Sequence, residues 1–184
     1  MRKCHVEVWA YCLMLNHVHL ILVPNDGIGL ARAIGAAHRR YTHFINARGR
    51  WTGHLFQNRF GSVVMDEAHL VAAVRYVSLN PVRARLVARA EDWPWSSVRA
   101  HLKGEADGLV RVRPVLDRIA TFAELLGSQD ETGFDALRIS EGTGRPLGNA
   151  EFIAGLERIL GRRLAKRAPG RKPWERDDRQ ASLL

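Results

Sequence analysis

Between His5 and Val23 the apolar residues recur at every second position. Val6, Val8 and Ala10 alternate with His5, Glu7, Trp9 and Tyr11, and after Leu15-Asn16 comes the run His17-Val18-His19-Leu20-Ile21-Leu22-Val23, closed by Pro24-Asn25-Asp26-Gly27. A period of two belongs to a strand, and so short a connection joins antiparallel neighbours. The chain therefore starts with a β-hairpin, dense enough in apolar residues to lie near a sheet centre. From Leu30 to about Ala47 the period lengthens to three or four: Leu30, Ile34, Ala37, Tyr41, Phe44 and Ile45 mark an apolar stripe, with Arg32, Arg39, Arg40 and His43 between. Arg48-Gly49-Arg50 stops that helix. A loop, Trp51 to His54, leads into Leu55–Met65, where Val63 and Val64 suggest another strand. Asp66 is the expected N-cap of the next helix, whose stripe is Leu70, Ala73, Val74 and Val77, and Pro81 is expected to end it.

Beyond Pro81 the pattern weakens. Ser96 or Ser97 is expected to cap a short helix to Leu102, and weak helices follow near Val115–Ile119, Phe122–Leu126 and Gly133–Ile139. The glycine-rich stretch Glu141 to Gly148 reads as a link, opening an amphipathic helix from about Ala150 to Leu160. The tail from Arg158 to Lys172 carries seven Lys/Arg and no acid, and Ala168-Pro169-Gly170 argues against regular structure there.

Composition narrows the function. The 184 residues suffice for one domain with an appended tail, and apolar residues, at 46%, suffice for a real core. Lys and Arg number 28 against 19 acids, a net +9, which favours a polyanionic partner, nucleic acid ahead of a membrane surface. No apolar run approaches the roughly 20 residues of a membrane span, and the stretch from Met1 to His5 lacks the apolar run expected of a signal peptide. Cys4 and Cys12 alone make neither a disulfide scaffold nor a four-cysteine zinc module, and the expectation is a reducing, intracellular setting.

Three constellations could carry chemistry. His17 and His19, two apart on a strand, project from one face and could give two nitrogen donors to one divalent metal; two partly buried sheet histidines are the plainer alternative. Tyr76 and Asn80, at i and i+4, share one helix face. A tyrosine hydroxyl can attack phosphorus where a cation neutralises the phosphoryl oxygens, and an amide oxygen one turn along could be a third metal ligand. Equally, Tyr76 could be a core residue and Asn80 merely the helix end. Third, Arg39, Arg40, Tyr41 and His43, then His54, Phe56, Gln57, Asn58, Arg59 and Phe60, then Arg83 and Arg85, interleave basic with aromatic and amide side chains, as surfaces that clamp phosphates and stack unpaired bases do. A solvated charged face is the alternative. Ser96-Ser97 near Asp92 and His101 lacks the glycine pattern of a nucleophile elbow.

Taken in order, Tyr11-Cys12-Leu13-Met14-Leu15-Asn16-His17-Val18-His19-Leu20, Gly53-His54-Leu55-Phe56-Gln57-Asn58-Arg59-Phe60 and Arg75-Tyr76-Val77-Ser78-Leu79-Asn80-Pro81-Val82-Arg83-Ala84 resemble successive blocks of the IS200-like transposases, in particular the REP-associated tyrosine transposase branch. Trp93-Pro94-Trp95-Ser96-Ser97 and Gly144-Arg145-Pro146-Leu147-Gly148 also resemble that branch. Leu15 departs from the usual block, which has proline there. The resemblance implies a metal-dependent single-stranded DNA endonuclease and strand transferase of the HUH class, with His17, His19 and Asn80 as ligands of Mg²⁺ or Mn²⁺ and Tyr76 as nucleophile. It implies an α+β, ferredoxin-like HUH core over 1–103, sheet order 4-1-3-2, apparently lacking the first strand and first helix, with Leu55–Met65 as strand 4. A helical extension with a basic tail would occupy 104–184. Arg39, Arg40, Arg59, Arg83 and Arg85 would bind DNA, a single-stranded hairpin with a flanking recognition sequence. The protein would be a cytoplasmic, nucleoid-associated monomer or homodimer, away from membranes. The competing reading is a non-catalytic, truncated nucleic-acid-binding remnant of such an enzyme.

Overall fold

The computed structural model describes residues 4–57, 59–128, 131 and 133–164. The expected hairpin forms: β1 (Val6–Leu13) pairs antiparallel with β2 (Val18–Pro24), Cys12 opposite His19 and Leu13 opposite Val18, with an irregularity between Val8 and Ala10. Met14 donates to the His17 carbonyl across the turn. Seven α-helices follow among the described residues: α1 (Gly29–Gly49), α2 (Glu67–Arg83), α3 (Val98–Lys103), α4 (Arg113–Leu116), α5 (Phe122–Gly127), α6 (Phe134–Thr143) and α7 (Ala150–Leu160). Among the described residues none is long and apolar enough to cross a membrane.

One face of the hairpin makes the core with α2. Ala10, Cys12 and Ile21 are buried together with Leu70, Ala73, Val74, Tyr76 and Val77, the helix residues at three- and four-residue spacing. Val115, Phe122, Phe134 and Leu137 join the same core, so the segments after residue 103 pack into it directly. Burial pushes the Cys12 thiol up to about 11, as expected of a space-filling cysteine.

β1 is sealed along its outer edge. Leu13 donates to the Trp95 carbonyl, Ser97 to the Tyr11 carbonyl and Arg111 to the Val8 carbonyl, while the Ser97 hydroxyl accepts from the Tyr11 amide. Ser97 precedes α3, yet its hydroxyl serves the strand rather than the helix, and Ser96 Oγ accepts the Val98 amide at 3.4 Å.

Three expectations need correction. The described residues of 55–65 form no strand: Met65 makes only an isolated parallel bridge with Leu147. An extended segment becomes a strand only where another backbone completes its hydrogen bonds, and here a trough of about 680 Å³, lined by Val18, Leu20, Leu22, Val63, Met65 and Ala73, separates the segment from β2. The sheet among the described residues thus has two strands, in place of the three that a ferredoxin-like core lacking its first strand would supply; what stands is an α+β arrangement of one hairpin and helices. Second, α2 passes through Pro81 and ends at Arg83, since a proline in the last turn removes one amide while Ala84 still donates to the Asn80 carbonyl. Third, the stripe of α1 is buried only at its start: Ala33 and Ile34 are covered, whereas Tyr41 and Phe44 are about half exposed. Of the basic tail, residues 165–172 lie outside the described residues.

Candidate active site

Asp66 sets the position of α2. Its Oδ1 accepts the His69 amide at 3.0 Å, the N-cap bond the sequence called for, and its Oδ2 accepts the Asn149 amide at 2.8 Å. Ten residues on from this cap, Tyr76 lies on the helix face turned to the hairpin and is 8% exposed. His19 stands on the facing strand, so the two rings meet edge-on with centroids 5.9 Å apart.

His17, one residue before β2, points the same way. The two imidazoles lie at 86° with centroids 4.8 Å apart, and their Nε2 atoms are 3.0 Å apart. On the far side of each ring, His17 Nδ1 lies 2.7 Å from Asn16 Oδ1, and His19 Nδ1 lies 3.4 Å from a Glu141 carboxylate oxygen. An amide or carboxylate oxygen accepts but does not donate, so with the proton on each Nδ1 the two Nε2 lone pairs face each other, an arrangement that a shared cation, or a proton held between the two nitrogens, satisfies. Burial and the neighbouring His19 hold the His17 imidazole below its ordinary pKa, which keeps it neutral and able to donate a lone pair.

Two lone pairs 3.0 Å apart suit a shared cation: ligands at right angles with bonds of about 2.1 Å stand about 3.0 Å from one another. The imidazole pair therefore fits two positions of a divalent metal. No group of three His, Cys, Asp or Glu side chains among the described residues is arranged as a complete site, so further ligands would be amide oxygens, water or substrate. Asn80 does not reach the imidazoles here. Its Nδ2 donates to the Tyr76 carbonyl at 3.2 Å, back along its own helix.

Tyr76 is also held from behind. Phe134 of α6 meets it edge-on at 5.3 Å. Burial raises the phenol's pKa above its ordinary value and Glu141 adds to this, while Arg138 and Arg83 pull the other way. The nucleophile candidate is thus a neutral phenol at pH 7, with two arginines placed to favour its anion.

The five arginines expected to bind DNA fall in separate places. Arg39 and Arg59 line one cleft of about 690 Å³, with His54, Phe56 and Gln57, and there His38 stacks on Phe56 at 3.8 Å. Arg40 is exposed on α1, and Asn58 lies outside the described residues. Arg83 pairs with Glu131 at 2.6 Å and lies over the Phe134 ring at 5.0 Å, so it ties α2 to α6. Arg85 is exposed, in a left-handed backbone conformation just past α2. Arg138 and Glu141 escaped the sequence reading, which placed Glu141 in a glycine-rich link; their spacing on α6 carries no signature of its own.

Residues 1–80 match the family described as "Transposase IS200 like". The chain is also 26% identical over 110 residues to a Haemophilus influenzae protein named "Putative REP-associated tyrosine transposase", an alignment covering 54% of this chain and 62% of that relative. No solved structure matches the chain significantly.

Proposed function

Residues 1–80 carry an IS200-like transposase domain, and from that premise we propose that the protein is a metal-dependent single-stranded DNA endonuclease and strand transferase with Tyr76 as its nucleophile. The observation that carries the reading is the convergence of His17 and His19, Nε2 to Nε2 at 3.0 Å, beside a buried tyrosine ring at 5.9 Å. His17 and His19 would hold Mg²⁺ or Mn²⁺, with the amide oxygen of Asn80 as third protein ligand. When bound, such a cation polarises the scissile phosphate and offsets charge on the departing oxygen.

The chain's own groups do the rest. Tyr76 Oη attacks the phosphorus; the bond from phosphorus to the 3′ oxygen breaks, leaving a 5′-phosphotyrosine and a free 3′-hydroxyl. The phenol's proton goes to solvent, and the 3′ oxygen leaves protonated. An incoming 3′-hydroxyl reverses these steps and rejoins DNA, so the phosphotyrosine bond conserves the energy and no nucleotide cofactor is consumed. The DNA is proposed to be a hairpin with a flanking single strand, gripped by Arg39, Arg40, Arg59, Arg83 and Arg85.

Incubation with end-labelled hairpin DNA and Mn²⁺, followed by denaturing electrophoresis, tests this. The expected result is a covalent protein–DNA adduct with the wild type and none with Tyr76→Phe. Binding without any adduct refutes the enzyme reading.

A further inference from the structure

Residues 1–80 end four residues past Tyr76, yet the site does not. Helix α6 lies against α2 through Phe134 and Leu137, both buried in the common core, and Glu141 follows Phe134 by seven residues on the same face. That spacing stacks Phe134, Leu137, Arg138 and Glu141 in one stripe. The stripe delivers Arg138 to the Tyr76 hydroxyl and Glu141 to His19. Both partners are side chains the proposed chemistry already uses.

We propose that α6 is a wall of the active site and that Glu141 is a positioning residue for His19, its carboxylate accepting the Nδ1 proton so that the Nε2 lone pair faces His17. The inference rests on the proposed metal-dependent reading and adds a residue to it. Glu141 Oε1 lies 3.4 Å from His19 Nδ1, the nitrogen turned away from His17, and the carboxylate side chain is 44% exposed. Asn16 Oδ1 does the same for His17 at 2.7 Å. The two imidazoles are thus each backed by one oxygen acceptor, the adjacent turn residue for His17 and a residue of a distant helix for His19. An oxygen behind the non-ligating nitrogen fixes the tautomer and ring orientation and raises the basicity of the ligating nitrogen, and its loss typically costs ten- to a hundredfold in metal affinity. Because Glu141 reaches the site from α6, the helix must be docked for His19 to be oriented.

The test uses the full chain with Glu141→Ala and Glu141→Gln. Glu141 is surface-exposed, so circular dichroism and the melting temperature should stay at wild-type values in both. In metal-free protein labelled with ¹⁵N-histidine, long-range ¹H–¹⁵N correlation reports which nitrogen of His19 carries the proton. The expected result is Nδ1–H in wild type, a shift towards Nε2–H in Glu141→Ala, and retention of Nδ1–H in Glu141→Gln, whose amide oxygen still accepts. Titration with Mn²⁺, followed by the resonance of the free ion, should show affinity falling by about tenfold or more in Glu141→Ala and largely recovered in Glu141→Gln. An unchanged His19 tautomer with an affinity within about twofold of wild type overturns the proposal while leaving the metal reading in place. Mn²⁺ binding that is absent from wild type, or unaffected by replacing both His17 and His19 with alanine, overturns the metal reading and the proposal with it.

Discussion

Replacing Asp66 with alanine should loosen the helix that carries Tyr76, and its cost can be worked out bond by bond. The N-cap bond from the His69 amide is worth about 1 kcal/mol. The Oδ2 bond from the Asn149 amide, which ties the start of α2 to the start of α7, adds about 1 kcal/mol, reduced from the usual range for a charged acceptor because Asn149 is exposed. From these two backbone bonds Asp66→Ala should destabilise by about 2 kcal/mol at pH 7, and loss of the contact between the His69 ring and Oδ1 adds to it. Asp66→Asn, which keeps an oxygen for the His69 amide, should recover about half. Acid titration sharpens the test. Burial alone would raise the Asp66 carboxyl, but hydrogen bonds from the His69 ring and from the Asn149 and His69 amides outweigh it and hold the group below 3.8. A depressed carboxyl contributes stability above its unfolded pKa and loses it as pH falls through its folded value. Urea midpoints measured from pH 7 down to 2.5 should thus show wild type and Asp66→Ala converging below about pH 4. A difference under about 0.5 kcal/mol at pH 7, or one constant across the range, refutes the capping account.

Two further outcomes follow from the packing and the charged cleft. Phe134→Leu keeps an apolar side chain but removes the ring contacts to Tyr76, Arg75 and Arg83, at 5.3, 5.1 and 5.0 Å; urea unfolding should show a loss of about 2 kcal/mol, and a change under about 0.5 kcal/mol would contradict a structural role for those contacts. Replacing Arg39 and Arg59 together by alanine should flatten the salt dependence of single-stranded DNA binding, lowering the slope of log K against log salt by about 1.4, near 0.7 per lost phosphate contact. An unchanged slope would take the cleft they line off the DNA path.

Much of the site was legible because it depends on local rules. A period of two placed His17 and His19 on one face, and Asp66 announced the start of α2 ten residues before Tyr76. The approach of Tyr76 to His19 follows from those facts plus the burial of one face of α2 against the hairpin. Residues with two uses were harder to read. Arg83 reads as a surface cation, yet it bridges Glu131 and Phe134; Tyr41 and Phe44 read as core, yet each stays about half exposed, Tyr41 beside the Phe56 ring and Phe44 under Arg48. Asn80 shows the limit of spacing: i and i+4 guarantees a shared face with Tyr76, but a carboxamide on that face can turn back to its own backbone, as this one does.

The missed strand has a different cause. Val63 and Val64 give Leu55–Met65 a strand's composition, but a strand is a relation between two backbones, and no propensity at 55–65 states where a partner will stand. The hairpin shows the contrast. β1 and β2 find each other because a four-residue turn leaves them no alternative, and the outer edge of β1 is then completed by residues 95–97 and 111, more than eighty positions away and strand-like in neither period nor length. The backbone of β1 was satisfied by segments no alternation announces, while a segment that does look like a strand faces β2 across a trough and pairs with Leu147 at a single point. Sheet edges are thus decided by which segments the helices bring alongside, and that follows from α2 and its cap at Asp66. The same dependence governs the candidate site: His17 and His19 take their places from the hairpin alone, but Tyr76 reaches them only through the packing of α2, and Glu141 only through the packing of α6.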